Sequence, residues 1–215
     1  MRSAAWTRRD FIAAGLAAAY AGASAAAPGA PPVILVVGDS LSAEYGLKRG
    51  SGWVALLEQR LAREKIPAKV VNASISGDTT AGGRSRLPGL LNQLKPTHVI
   101  LELGANDALR GLPLAMTEDN LNAMTQAAQK AGARVLLVGM QVPPNYGSDY
   151  TQRFGAVFPK VAKDNKAGLV PFLLHNVADV PDGLRMFQAD RIHPKEEAHP
   201  LILDNVWPEL KKQLK

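Results

Sequence analysis

Val33-Ile34-Leu35-Val36-Val37-Gly38-Asp39-Ser40-Leu41-Ser42 carries the strongest structural signal in the chain. Five apolar, mostly β-branched residues run without alternation, as in a strand covered on both faces of a parallel sheet. The run stops at Gly-Asp-Ser, a turn cluster. That places Ser40 at the carboxyl end of a sheet strand, where open α/β folds put their chemistry. Asp39 or Ser40 would serve equally well as a plain cap of the next helix. The rest of the chain separates the two readings.

Beyond Ser42, strands alternate with helical patterns. Trp53, Leu56, Leu57 and Leu61 fall at helical spacing within Trp53–Glu64. Lys69–Ser74 reads as a second strand, and Arg84–Leu94 as a helix kinked or interrupted by Pro88. His98–Gly104 reads as a third strand. Thr117–Ala131 reads as a helix with Thr117 as its cap, acids in its first turn and Gly132 as its stop. Arg134–Gly139 is a fourth strand, followed by the loop Gln141–Gly147. Tyr150, Phe154, Val157, Phe158 and Val161 then share one helical face. Leu169–Leu174 reads as a short fifth strand, with Pro171 marking an edge or an end. A last helical region runs to Leu214, interrupted or kinked near Pro200 and Pro208. Such alternation implies right-handed βαβ units, hence a three-layer α/β/α sandwich on a parallel sheet of about five strands.

The N-terminal stretch belongs to a different category. Arg2, Arg8 and Arg9 precede a mild apolar run, Phe11–Ala23, and small residues at Ala23–Ala27 offer cleavage sites. Residues 1–27 are therefore expected to be an export signal, residues 28–32 a Pro/Gly linker, and residues 33–215 one domain. Thr7-Arg-Arg-Asp-Phe-Ile12 resembles the twin-arginine signature; a general secretory leader is the alternative. The segment is too short and too weakly apolar for a transmembrane anchor. A soluble mature protein is expected, periplasmic or secreted.

Cysteine is absent, which removes disulfides, thiolate metal sites and a cysteine nucleophile. The formal charge is +6, and setting aside the net +2 of Arg2, Arg8, Arg9 and Asp10 leaves +4 on the mature part. Its basic residues are dispersed and aromatics make up only 6%, so no nucleic-acid partner is expected.

Three strand ends finish in small or polar residues that packing does not require: Gly38-Asp39-Ser40, Ser76-Gly77-Asp78 and Gly104-Ala105-Asn106-Asp107. In a parallel sheet such ends meet along one edge. Far downstream stands Asp190-Arg-Ile-His193, whose spacing sets a carboxylate beside a histidine to fix its tautomer and stabilise its imidazolium. Ser40, His193 and Asp190 together make an acyl-transfer triad. The backbone N–H groups of Ser40 and Gly77 and the Asn106 amide are candidates for the oxyanion hole. His98 and His175 read as hydrogen-bonded structural residues. Asp78 and Asp107 read as loop-fixing groups, and Glu102, inside a strand, as a buried carboxylate that needs a partner. His199 beside Glu196 and Glu197 falls short of the four protein ligands of a structural zinc site, so no metal or cofactor is expected.

With these motifs the chain resembles the SGNH (GDSL-type) hydrolases over nearly all of Val33–Leu210. The resemblance is closest to their periplasmic multifunctional acyl-CoA thioesterase/lysophospholipase/arylesterase branch. It rests on Gly38–Ser42, Val71–Thr79, Glu102–Asp107 with Leu109-Arg-Gly111, Pro144–Gly147 and Asp190–Pro194. It implies a flavodoxin-like sheet, Ser40 as nucleophile, Gly77 and Asn106 as oxyanion donors, and the Asp190/His193 pair. It also implies substrate contacts from Leu109, on a loop closing over acyl chains, and from Gln141, Val142 and Pro143, lining an acyl groove. Val142-Pro143-Pro144 is stiffer and smaller than the leucine-containing loop of the best-known branch members, so no chain-length preference is carried over.

The expected function is that of an exported monomeric serine esterase acting on acyl esters and thioesters, lysophospholipids among them. Two alternatives stand beside it. A carbohydrate acetyl esterase would use the same triad, although Leu109, Leu112, Leu114 and Val142 are poor material for a sugar cleft. A flavodoxin-like mononucleotide-binding module would want a phosphate cradle after the first strand, where this chain has Asp39 and Glu44. An ordinary α/β-hydrolase is disfavoured, because Gly38–Ser42 lacks the last glycine of Gly-x-Ser-x-Gly.

Overall fold

The computed structural model describes Gly29 and residues 31–215; the expected export signal lies outside the described residues. Five strands form one parallel sheet: β1 (Val33–Gly38), β2 (Lys69–Asn72), β3 (His98–Glu102), β4 (Arg134–Val138) and β5 (Gly168–Val170). Their order is β2-β1-β3-β4-β5. Central β3 is buried along its whole length and β1 from Ile34 onward. Edge strand β2 is only half-buried, which is why its apolar run is short.

The helices are α1 (Trp53–Arg63), α2 (Thr80–Leu94), α3 (Ala105–Leu109), α4 (Leu114–Lys130), α5 (Ser148–Asp164) and α6 (His199–Gln213). One layer pairs α1 with α6, and the other packs α2 on α4 and α4 on α5. Trp53, Leu57 and Leu61 of α1, and Phe154 and Phe158 of α5, drive their apolar stripes into opposite faces of the sheet. This is the expected three-layer sandwich, with the flavodoxin-like strand order. The chain leaves β1 and β3 in opposite directions, so a crevice opens between their carboxyl ends.

Local signals misplace some helix ends. Thr117 caps nothing: α4 begins at Leu114 after Pro113, and Thr117 is fully buried with its hydroxyl donating to Asp107 at 3.3 Å. Helix α2 begins at Thr80, where the Thr79 hydroxyl accepts from the Gly82 N–H, and it continues through Pro88. An interior proline costs ~3 kcal/mol in an isolated helix; here Leu87 and Leu91 on either side are buried and hold the register. Pro200 sits in the first turn of α6, where its missing N–H has no partner to lose, and Pro208 does not interrupt the helix. Strand β5 stops at Val170, immediately before Pro171.

Candidate active site

Ser40 follows β1 in a tight turn built by Asp39. The Asp39 carbonyl accepts from the N–H groups of Ser42 and Ala43, and its Oδ1 accepts from the Leu41 N–H at 3.0 Å. Asp39 thus caps a turn, and no helix begins until Trp53. The turn can approach β3 only because Gly38 lacks a side chain: a Cβ there would lie 2.7 Å from Glu102 Oε2 and 2.8 Å from Ser42 Oγ.

His193 Nε2 lies 2.9 Å from Ser40 Oγ, and His193 Nδ1 lies 2.7 Å from Asp190 Oδ2. The other Asp190 oxygen accepts from the N–H groups of Ile192 and His193 at 2.9 and 3.1 Å, locking the three-residue spacing into a closed loop. The hydrogen bond from His193 is the main reason that the Asp190 carboxyl is held down at about 2, with the Ile192 N–H adding to it. An ionised Asp190 accepts a hydrogen bond from Nδ1–H, which keeps the proton on Nδ1 and leaves the Nε2 lone pair facing Ser40. The loop is pinned from outside. Gln188 bonds the carbonyls of Tyr45 and Pro194, Phe187 pairs with Pro194, and the Tyr45 ring packs on His193 with centroids 4.3 Å apart.

The expected oxyanion donors come from three different strand ends, which hydrogen bonds stitch together. Ile75 N–H donates to the Gly38 carbonyl at 3.0 Å, tying the β2 loop to β1. Arg86 reaches the Ala73 and Gly38 carbonyls while paired to Asp78 at 2.8 Å. Gly77, at φ +79°, turns its peptide so that its carbonyl accepts from Arg110 at 2.6 Å. Asn106, in the first turn of α3, donates from Nδ2 to Asp39 Oδ2 at 3.1 Å. Among the described residues, the backbone N–H groups of Ser40 and Gly77 donate to nothing within the protein. Asp107, fully buried, accepts from the Thr80 backbone N–H at 2.8 Å and from the hydroxyls of Thr80 and Thr117, so it fixes α3 against α2 and α4.

Leu109 ends the short helix that carries Asn106, and its side chain is exposed. In the loop after β4, Gln141 and Pro143 are exposed while Val142 is buried with the core. His98 lies between the Thr97 hydroxyl and the Gln213 carbonyl, and His175 is bonded to Asp179. His199 accepts the Trp53 N–H at 3.0 Å. Sequence reasoning missed Tyr45, Gln188 and Arg110, whose contacts with His193, Tyr45 and Gly77 join residues far apart in the chain, and it missed what Asp39 and Glu102 do. The available signal for the last pair was their placement: Glu102 sits inside an apolar strand, opposite Gly38 in the β1–β3 register.

An α/β sandwich with a Ser–His–Asp hydrogen-bond chain at the carboxyl edge of its sheet defines a hydrolase class. The GDSL-like lipase/acylhydrolase family model matches residues 36–201, and the chain belongs to that family. It is 53% identical over 185 residues to esterase TesA of Pseudomonas aeruginosa, covering 86% of this chain and 90% of that one. It is 42% identical over 189 residues to an arylesterase of Vibrio mimicus (88% and 93% covered). It is also 42% identical over 175 residues to thioesterase 1/protease 1/lysophospholipase L1 of Escherichia coli strain K12 (81% of each). A crystal structure of TesA superposes with a TM-score of 0.81, covering 84% of this chain and 99% of that one. The protein is a hydrolase acting on esters, which replaces the mononucleotide-binding alternative.

Proposed function

We propose that the protein is an exported, monomeric serine esterase that cleaves acyl esters and thioesters through an acyl-enzyme on Ser40. Aryl esters, lysophospholipids and acyl-CoA-type thioesters are its substrate classes. The observation that carries this reading is the unbroken chain from Ser40 Oγ through His193 to Asp190. His193 Nε2 takes the Ser40 proton as Oγ attacks the carbonyl carbon. The N–H groups of Ser40 and Gly77 and the Asn106 amide receive the negative charge that develops on the carbonyl oxygen. His193 then passes its proton to the departing alcohol or thiol. In the second half it activates the water that releases the acid and frees Ser40.

Exposed apolar side chains support an acyl rather than a sugar substrate. Tyr45, Ile75, Leu109 and Ile192 are each more than two-fifths exposed, and each lies in a segment leaving the carboxyl end of a strand. A p-nitrophenyl ester series from acetate upward, run beside a long-chain acyl-CoA and a lysophospholipid, tests this. Turnover that persists through medium and long chains is expected. Cleavage of acetate that stops at medium chains would instead identify a carbohydrate acetyl esterase.

Export is proposed from residues 1–27 alone, with cleavage between Ala25 and Pro28. Among the described residues no helix is long and apolar enough to cross a membrane. Replacing Arg8 and Arg9 together by Lys should strand the precursor in the cytoplasm if the twin-arginine route is used. Unchanged export of that variant would assign the general secretory route.

A further inference from the structure

Two carboxylates lie buried behind the nucleophile, and the triad chemistry uses neither. Gly38 and Glu102 are register partners at the ends of β1 and β3, so Asp39 stands beside Glu102. Their exposures are 1% and 2%. Glu102 Oε2 accepts from the Ser42 hydroxyl at 2.6 Å and from the Asp39 N–H at 3.3 Å, and the Trp53 indole donates to that same hydroxyl at 3.2 Å. Glu102 therefore seats the turn after the nucleophile. Asp39 does something different: one oxygen holds the Leu41 N–H at 3.0 Å and the other holds Asn106 Nδ2 at 3.1 Å.

We propose that Asp39 is a positioning residue that sets two oxyanion donors from a single anchor. A primary amide has two N–H bonds. Asp39 fixes one of those of Asn106, so the side chain cannot rotate and the second N–H stays aimed at the substrate oxygen. By gripping Leu41 it also fixes the turn whose Ser40 N–H is a second donor. Donors that need no reorganisation as charge develops are what lowers the barrier. This inference rests on the serine-esterase reading above.

The arrangement costs stability, which points to function rather than architecture. Desolvation drives the Glu102 carboxyl well above its ordinary range, with the Asp39 charge adding to it. Desolvation likewise pushes Asp39 up to about 6, against the Leu41, Asn106 and His193 interactions that lower it. The groups facing Asp39 are Glu102 from β3, Asp78 from the β2 loop, His193 from the loop before α6 and Asn106 from α3; Arg86 of α2 reaches the neighbouring Gly38 carbonyl. An acid whose folded value is raised stabilises the fold below its unfolded value near 4 and loses that contribution as pH rises through about 6.

Asp39→Asn tests the proposal. The replacing amide keeps one carbonyl oxygen for Leu41, but it presents an N–H pair to Asn106 and releases it. We expect kcat on an aryl ester to fall about 10- to 100-fold, less than the 10²–10³ for loss of a donor itself, with KM nearly unchanged. Removing the Asp39 charge should favour the fold more at pH 8 than at pH 4, so the melting-temperature difference between variant and parent should move in the variant's favour as pH rises, on top of a pH-independent loss from the broken Asn106 hydrogen bond. In an Asn106→Ala background the same substitution should cost less than about 3-fold, because coupled residues are non-additive. Asp39→Ser, too short to reach Asn106, enters the same cycle should the amide variant fold poorly. Equal losses in both backgrounds, or a lower melting temperature at pH 8 with kcat per titrated site intact, would overturn it. Titrating active sites with an organophosphonate separates the two levels. Labelling of Ser40 in parent and variant leaves the esterase reading standing, and labelling elsewhere removes that reading first.

Discussion

Ser40→Ala is expected to abolish ester turnover and labelling by an organophosphonate, with thermal stability almost unchanged. Loss of the nucleophile of a serine protease lowers kcat by about 10⁶, leaving only what binding and the oxyanion hole supply, and a comparable collapse is expected here. The stability side follows from what the hydroxyl touches. Its one side-chain partner among the described residues is His193, and Ser40 is only half-buried. One such hydrogen bond is worth about 1 kcal/mol net, so the melting temperature should move by a few degrees at most. Two other serines test the assignment. Ser42 is 2% exposed, with its hydroxyl engaged by Glu102 and Trp53, and Ser76 is exposed with no hydrogen-bonded histidine among the described residues. Mass spectrometry that places the phosphonate on Ser42 or Ser76 would overturn the choice of nucleophile.

What could be read in the sequence was whatever a short window encodes. Five consecutive apolar residues can only be a strand covered on both faces or part of a buried helix, and the Gly-Asp-Ser stop decides between them. Asp190 and His193 were legible as a pair because three residues suffice to close the loop that joins them. The misplaced helix ends are places where a correct local rule loses to packing. Thr117 has the chemistry of a cap, yet its hydroxyl is worth more against Asp107 than at a helix start. Pro88 and Pro208 are breakers in isolation, but buried leucines and Trp207 carry both helices past them.

The polar wiring behind the site was illegible for a different reason. Asp39 meets Asn106 across 67 positions and Glu102 meets Ser42 across 60. Both contacts exist only because β3 lies next to β1 in the order β2-β1-β3-β4-β5. Strand and helix alternation implies a parallel sheet without giving the order of its strands. Glu102 as an anomaly in an apolar strand was visible; its partners required the register.

Asn106→Ala is expected to lower kcat by ~10²–10³-fold, the loss typical of one oxyanion donor. KM should change far less, because the interaction strengthens only as charge develops on the carbonyl oxygen. The alternative is that Asn106 merely shapes the turn between β3 and α3. The melting temperature alone does not separate the two, since removing the amide leaves one oxygen of buried Asp39 without a donor, at a cost of about 1–3 kcal/mol. The discriminating quantity is kcat per phosphonate-titrated site. A shaping role predicts fewer folded molecules, each turning over normally; a donor role predicts a full complement of sites that turn over slowly. Asn106→Asp sharpens the contrast. A new carboxylate would face Asp39 at hydrogen-bond distance, and two such groups cannot both ionise cheaply. The pair would hold a proton in the folded state that the unfolded chain gives up, so this variant should lose stability as pH rises, beyond the loss seen with alanine. Any charge it carries would also repel the developing oxyanion, so its activity should fall at least as far as that of the alanine variant. Near-normal turnover per titrated site in Asn106→Ala would remove Asn106 from the oxyanion site.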